Sequence, residues 1–211
     1  MVVTREFELV PLDCPTCGAG IAADGEDVVY YCTACQNGYS FDQESRSLQP
    51  VEVSFVALPD KQIDLYLPFW LLPAEVTIHE CTATGGSFSG LMRFFLGRGE
   101  ESNAAGQGTF AIPAFHASLA VVAKLTRAYT EVLPSLGERL GERLIGGCYG
   151  VEDAQKLAHY ALVASEVNKP DTLTKLRYDL VFGPARLLGV PFVRREETVM
   201  DAIFEIALQP S

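Results

Sequence analysis

Four cysteines near the start of the chain, in Cys14-Pro15-Thr16-Cys17 and Cys32-Thr33-Ala34-Cys35, constrain its folding more than any other feature. Two residues between the members of each pair let one tight loop present both sulfurs to a single ion. Zn²⁺ favours four tetrahedral ligands and binds thiolates well in closed structural sites. Gly18 follows the first pair and Asn37-Gly38 the second, supplying backbone that tolerates positive φ where the chain must curl around a metal. The 14-residue spacer is slightly under the usual ~15 to 20 residues, and Asp24-Gly25 within it suits a hairpin turn.

Strand-forming residues flank the second pair, Tyr30-Tyr31 on one side and Gly38-Tyr39-Ser40-Phe41 on the other, as expected if a small sheet carries it. With these aromatics, the glycines and the four cysteines, the segment through Phe41 resembles the zinc-ribbon family, including its rubredoxin-like members. The resemblance implies a metal-stabilised fold with Cys14, Cys17, Cys32 and Cys35 as ligands. It implies no particular activity, because ribbons occur in enzymes, polymerase subunits and adaptors alike. Iron is the alternative to zinc in such a sulfur set, and would make a one-electron carrier instead of a structural clip. Disulfide pairing fits poorly. The chain opens without the charged and apolar segments of a secretory signal, so a reducing, cytoplasmic location is expected.

A chain of 211 residues with 48% hydrophobic content can bury a substantial core. The expected organisation is a metal module over residues 1–49 and an α+β domain over 50–211, divided where the polar run Asp42 to Gln49 meets Pro50. The net charge of −11 is spread over both parts: Arg5 and Arg46 stand against eight acids in residues 1–49, leaving −6 there and −5 beyond. Phosphate binding needs Lys and Arg, so nucleic acid is disfavoured as a partner. Basic patches on protein partners suit this surface better. No stretch reaches the roughly 18 consecutive apolar residues of a membrane span. The nearest, Ile63 to Ile78, is interrupted by Asp64, Pro68, Pro73 and Glu75.

The second part reads as a mixed, mostly antiparallel sheet with a helical segment over about residues 116–168, strands before it from about 51 to 115 and strands after it from about 171 to 208. Val3 to Val10 and Val51 to Ala57 alternate as strands, with a turn at Pro59-Asp60, and Ile63 to Trp70 and Glu75 to Thr82 read as two more. Leu67-Pro68-Phe69-Trp70, Ile112-Pro113-Ala114-Phe115 and Val190-Pro191-Phe192-Val193 share an apolar-proline-aromatic pattern, for which chance recurrence in a hydrophobic chain is the simpler reading and internal duplication the alternative. Proline donates no ladder hydrogen bond, so these sites should be strand ends, edges or bulges. Phe88 to Leu96 and Thr109 to Phe115 are expected to form a hairpin across the polar loop Gly97 to Gln107, and the glycines of 84–109 lack the spacing and the Gly-Lys-Ser/Thr of a phosphate loop. Phe115, Leu119, Val122, Thr126, Tyr129 and Leu133 recur with helical period. Ser135 is placed to cap a second short helix carrying Glu138, Arg139, Glu142 and Arg143. A third helix is expected over Val151 to Asn168, with Ala154, Leu157, Ala158, Ala161 and Ser165 inward. Strands are then expected at Leu173 to Phe182, Ala185 to Val193 and Thr198 to Leu208.

Among catalytic candidates, Cys148 in Gly146-Gly147-Cys148-Tyr149-Gly150 fits G-x-C-x-G before a helix. The preceding segment reads as helix and not strand, and Glu152 and Asp153 oppose a thiolate, so a glycine-rich connection is the simpler reading. His79 and Cys81 would share one strand face but are too few for a metal site, and His116 and His159 lack a carboxylate at motif spacing. The functional expectation is a zinc-ribbon adaptor or structural subunit that binds protein partners. The alternatives are a redox protein with iron at the four cysteines and a thiol enzyme using Cys148.

Overall fold

The computed structural model describes residues 12–58, 62–83, 90–97, 104–139, 141, 143–167, 173–196 and 198–208. The expected strand at Val3 to Val10 and the turn at Pro59-Asp60 lie outside them. The fold is α+β with a mostly antiparallel sheet. A small antiparallel sheet of β1 (Val29–Tyr31), β2 (Gly38–Asp42) and β3 (Ser47–Val51) comes first. It carries the chain through Pro50, which pairs with Tyr39. After Glu52, β4 (Val53–Val56) joins the larger sheet, so Val51 to Ala57 is two strands in two sheets.

The large sheet is built on β5 (Leu65–Ala83), one strand of 19 residues where two were expected. On one edge β5 pairs with β6 (Ala105–Pro113). On the other it pairs first with β9 (Arg186–Arg195) and then with β8 (Leu173–Phe182). The outer side of β9 meets β4 in parallel and then β10 (Thr198–Asp201), which pairs with β11 (Ala207–Leu208); β7 (Leu136–Gly137) lies beyond β4.

The prolines fall where one partner strand gives way to the next. In an antiparallel ladder a residue's N–H and C=O point to the same side. Pro73 accepts from Gly183 N–H at 2.8 Å, so its missing donor faces the gap between the end of β8 and the start of β9. Pro191 accepts from Ala202 N–H at 2.9 Å, in the gap between β4 and β10. Pro68 accepts from Ala114 N–H at 2.9 Å, between β6 and the segment at Arg143 to Ile145, which exchanges bonds with Tyr66. No ladder bond is lost at these positions, which is why one long strand accommodates two prolines. The first and third copies of the apolar-proline-aromatic pattern pair with each other about Leu67 opposite Val190.

Both faces of β5 are buried. Trp70, Leu72, Val76 and Ile78 face α1 (Gly90–Leu96) and α3 (Val151–Val167), with Phe95, Ala154, Ala158 and Leu162 among their contacts. Leu65, Leu67, Phe69 and Leu71 face a second cluster with Leu188, Val190 and Phe192. α2 (Leu119–Glu131) joins that cluster through Val121, Leu125 and Tyr129 and lies against the outer edge of β6, where Thr130 Oγ1 accepts the outward N–H of Ala111 at 3.0 Å.

Several local expectations are corrected by these long-range contacts. The segment Phe88 to Leu96 is not a hairpin strand where it is described: Gly90 to Leu96 is helical, burying Leu91, Met92 and Phe95. Gly106 and Gly108 of β6 lie so close to Phe95 that a Cβ at either would collide with it. The first long helix starts at Leu119 behind Ser118, whose side chain accepts from Val121 N–H, and Leu119 and Leu133 are exposed. No helix follows Ser135 among the described residues; Leu136 instead pairs with Val56, and Ser135 O accepts from Ala57 N–H. α3 buries Ala154, Ala158 and Ala161 as expected, with Leu157 half-buried. Thr198 to Leu208 is two strands separated by a turn, which Asp201 holds. This fully buried carboxylate accepts from Tyr129 Oη and from the N–H groups of Ile203, Phe204 and Ile206. Burial and this neighbouring carboxylate push the Tyr129 phenol far up, so it stays protonated and donates.

Candidate metal centre

Two matching backbone loops place the four sulfurs. Cys14 N–H donates to Ala19 O and Gly18 N–H to Cys14 O; Cys32 N–H donates to Asn37 O and Gln36 N–H to Cys32 O, all at 2.8–2.9 Å. In each loop the fourth residue after the leading cysteine takes positive φ, Gly18 at 71° and Gln36 at 62°. The second loop therefore bends at Gln36, and not at Asn37-Gly38. Gly38 is needed for another reason: a Cβ there would strike the Val53 side chain. The first loop is closed by a bridge between Asp13 and Gly20, and the second sits in the β1–β2 connection. Asp24 to Asp27 forms a turn, with Asp27 N–H donating to Asp24 O, but the hairpin strands flank the second cysteine pair instead.

Cys14 Sγ lies 3.5 Å from Cys35 Sγ and Cys17 Sγ lies 3.6 Å from Cys32 Sγ, with all four sulfurs within 4.8 Å of one another. A tetrahedron of ~2.3 Å zinc–sulfur bonds has edges of about 3.8 Å, so the set fits a four-coordinate ion. The four cysteines cluster within metal-binding distance, consistent with a zinc-ribbon-like knuckle. Cys14 and Cys32 are buried, Cys35 is half-buried and Cys17 is exposed. Ile21, Tyr39 and Leu48 pack around them.

Tyr39 is 1% exposed, and its hydroxyl lies 3.1 Å from Cys14 Sγ and 2.7 Å from Thr16 Oγ1. Sequence reasoning missed this residue, which reads only as a strand aromatic. Burial opposes the Cys14 thiolate, but hydrogen bonds from Tyr39, the Cys17 and Thr16 backbone and Cys35 outweigh it and hold the thiol at about 6. At Cys17 a backbone bond from Ala19 lowers the thiol, while desolvation and the three other sulfurs drive it up to about 12. Ligand chemistry needs the thiolate, and a bound divalent cation would favour that form at all four sulfurs, offsetting about half of their charge.

The glycine run before α3 has a packing role. Gly147 O accepts from both Val28 and Val29 N–H, at 2.7 and 2.9 Å, and Gly147 N–H donates to Val29 O at 3.1 Å. A Cβ on Gly147 would lie 2.7 Å from Ala114 O and 3.0 Å from Pro68 Cγ, and one on Gly146 would strike the Asp27 carboxylate. With Leu144 bridged to Tyr66, residues 144–147 connect the small sheet to the large one. Val29 is 1% exposed and lies in one core cluster with Trp70 and Leu187.

Cys148 is half-buried beside a cleft lined by Glu26, Asp27, His116 and Ile145. Burial, with Asp27 and Glu26 adding to it, pushes its thiol up. His116 has both ring nitrogens engaged, Nδ1 at 3.1 Å from Tyr149 Oη and Nε2 at 3.1 Å from Glu26 Oε2. His79 and Cys81 do not share a face. A bulge between Ile78 and Glu80 turns His79 outward to Asp179, at 2.7 Å, and leaves Cys81 against the core. His159 Nδ1 lies 3.0 Å from Tyr178 Oη, and burial lowers the imidazole. No helix of the described residues is long and apolar enough to cross a membrane.

No protein-family model, curated protein or solved structure matches this chain.

Proposed function

We propose that Cys14, Cys17, Cys32 and Cys35 bind one Zn²⁺ as a structural centre, and that the chain is a zinc-ribbon adaptor or structural subunit that docks on protein partners. The observation that carries the reading is the pair of matching loops converging four sulfurs within 4.8 Å. Bound zinc would supply folding energy and no redox chemistry. Residues 1–49 are the metal-clipped module in this reading, and 50–211 the α+β unit on which it rests through Val28 and Val29. Exposed Val132, Leu133 and Leu136, adjoining the two-residue edge strand β7, support a protein-docking role, and the net charge of −11 favours basic partner surfaces.

The test is metal analysis and native mass spectrometry of the full chain purified from cells. One zinc per chain, with a protein bound in defined stoichiometry, is expected. A red, iron-loaded protein would replace the structural reading with electron transfer. A zinc protein that purifies alone and turns over a small molecule would overturn the adaptor reading.

A further inference from the structure

The two long edges of the large sheet are treated differently. The edge of β6 is covered by α2, with the Ala111 N–H taken by Thr130. β8 pairs with β5 alone, and no strand lies beyond it among the described residues. Gly183 N–H donates to Pro73, and Val181, Asp179, Arg177 and Lys175 follow in the same phase, facing β5. The bulge between Ile78 and Glu80 puts its extra residue, His79, on β5, and the second register shift lies beyond Lys175, so the alternation from Lys175 to Phe182 is unbroken. The N–H and C=O groups of Leu176, Tyr178, Leu180 and Phe182 therefore point outward, and among the described residues no backbone bond takes them. Such a row is a template for another strand.

We propose that β8 is a self-association edge, pairing antiparallel with β8 of a second copy about a two-fold axis at Tyr178. Charge selects this register. Lys175, Arg177, Asp179 and Val181 are all exposed on one face. With the axis at Tyr178, Arg177 of each copy stands opposite Asp179 of the other, at non-hydrogen-bonded positions where cross-strand side chains are closest. An axis at Arg177 would set two guanidinium groups face to face, and one at Asp179 two carboxylates; like charges directly opposite destabilise a pair. His79 and Glu80 already hold Asp179 and Lys175 on this face, each at 2.7 Å. On the other face the same register sets Leu176 against Leu180 and Tyr178 against Tyr178. These residues pack on the rim of the main core and are only half-buried in one copy, so the pairing extends that core across the seam.

The experiment is sedimentation or light scattering of the full-length, metal-loaded chain across a concentration series, with circular dichroism as a check on folding. The mass should rise from 23.0 kDa toward twice that value. Arg177→Asp and Asp179→Arg should each remain monomeric, because each sets like charges opposite on dimerisation. An equimolar mixture of the two should form a heterodimer, since every 177–179 pair is then complementary. Amide exchange at Leu176, Tyr178 and Leu180 should slow on dimerisation. A wild-type chain that stays monomeric throughout, single variants that still dimerise, or a mixture that fails to pair would each overturn the proposal.

Discussion

Replacing Tyr39 with Phe isolates one hydrogen bond at the metal centre. The ring, 1% exposed among Ile21, Leu48 and the cysteines, keeps its packing, and only the hydroxyl 3.1 Å from Cys14 Sγ is lost. With protonated thiols, Tyr39 donates to Thr16. Once Cys14 is a thiolate the sulfur is an acceptor only, so Tyr39 donates to it and Thr16 donates to Tyr39 in turn. The bond then goes to a charged group, worth about 1.5–3 kcal/mol, or roughly 10- to 150-fold in affinity. Loss of an outer-shell partner at metal sites generally costs about 10- to 100-fold. Below the Cys14 pKa of about 6 the apo protein holds the neutral thiol and exposed Thr16 recovers its partner from water, so the loss falls on the zinc form there. At neutral pH the apo thiolate already takes this bond, and the full change in affinity is read below pH 6. Competition with a chromophoric chelator, for Zn²⁺ and for Co²⁺ followed by its thiolate charge-transfer band, measures the change. Affinity within twofold of wild type, with the band unshifted, would show that the hydroxyl does not act on the ligand and would refute the reasoning.

Cys14→Ser and Cys32→Ser should each abolish stoichiometric zinc binding and open residues 12–51 to limited proteolysis, since the metal contributes folding energy; a module still protease-resistant without metal would contradict this. Gly147→Ala forces a Cβ against Ala114 O and Pro68. Overpacking of about 1–3 kcal/mol, at about 2–4 °C per kcal/mol for a chain this long, predicts a Tm lowered by about 2–12 °C, whereas Gly20→Ala, with open space around it, should leave Tm unchanged. Asp201→Ala removes the acceptor for four donors and should destabilise by about 3–5 kcal/mol in urea titration; a loss under about 1 kcal/mol would mean the turn holds without it. The Cys148 thiol is raised, so its thiolate fraction at any pH below the folded pKa is smaller than that of an unfolded thiol. Alkylation of Cys148 should therefore be slower in the native protein and climb at higher pH, and rapid alkylation at neutral pH would reverse the assignment.

Chelation by closely spaced cysteines is a local property, and that part of the molecule was legible. Cys14, Cys17, Cys32 and Cys35 converge as their spacing required, while the bend in the second loop moved by one residue to Gln36. α3 was also readable, because Ala154, Ala158 and Ala161 repeat along one helix face. The misreadings share one cause. Leu91, Met92 and Phe95 suit either a strand or a helix, and β6 decides for the helix by presenting Gly106 and Gly108 to Phe95. Residues 136–137 carry no strand signal and become β7 only because β4 offers them an edge.

From its own residues, then, the chain determined a four-sulfur site, an α+β composition and a net charge of −11, because each depends on neighbours in sequence or on composition alone. Tertiary structure alone decided that β5 runs unbroken through Pro68 and Pro73, that Gly147 joins the two sheets, and that Tyr39 reaches Cys14. Each of those outcomes depends on a partner brought from elsewhere in the chain. Backbone hydrogen bonds and close packing are satisfied between such segments, and the partner's identity is written in neither one.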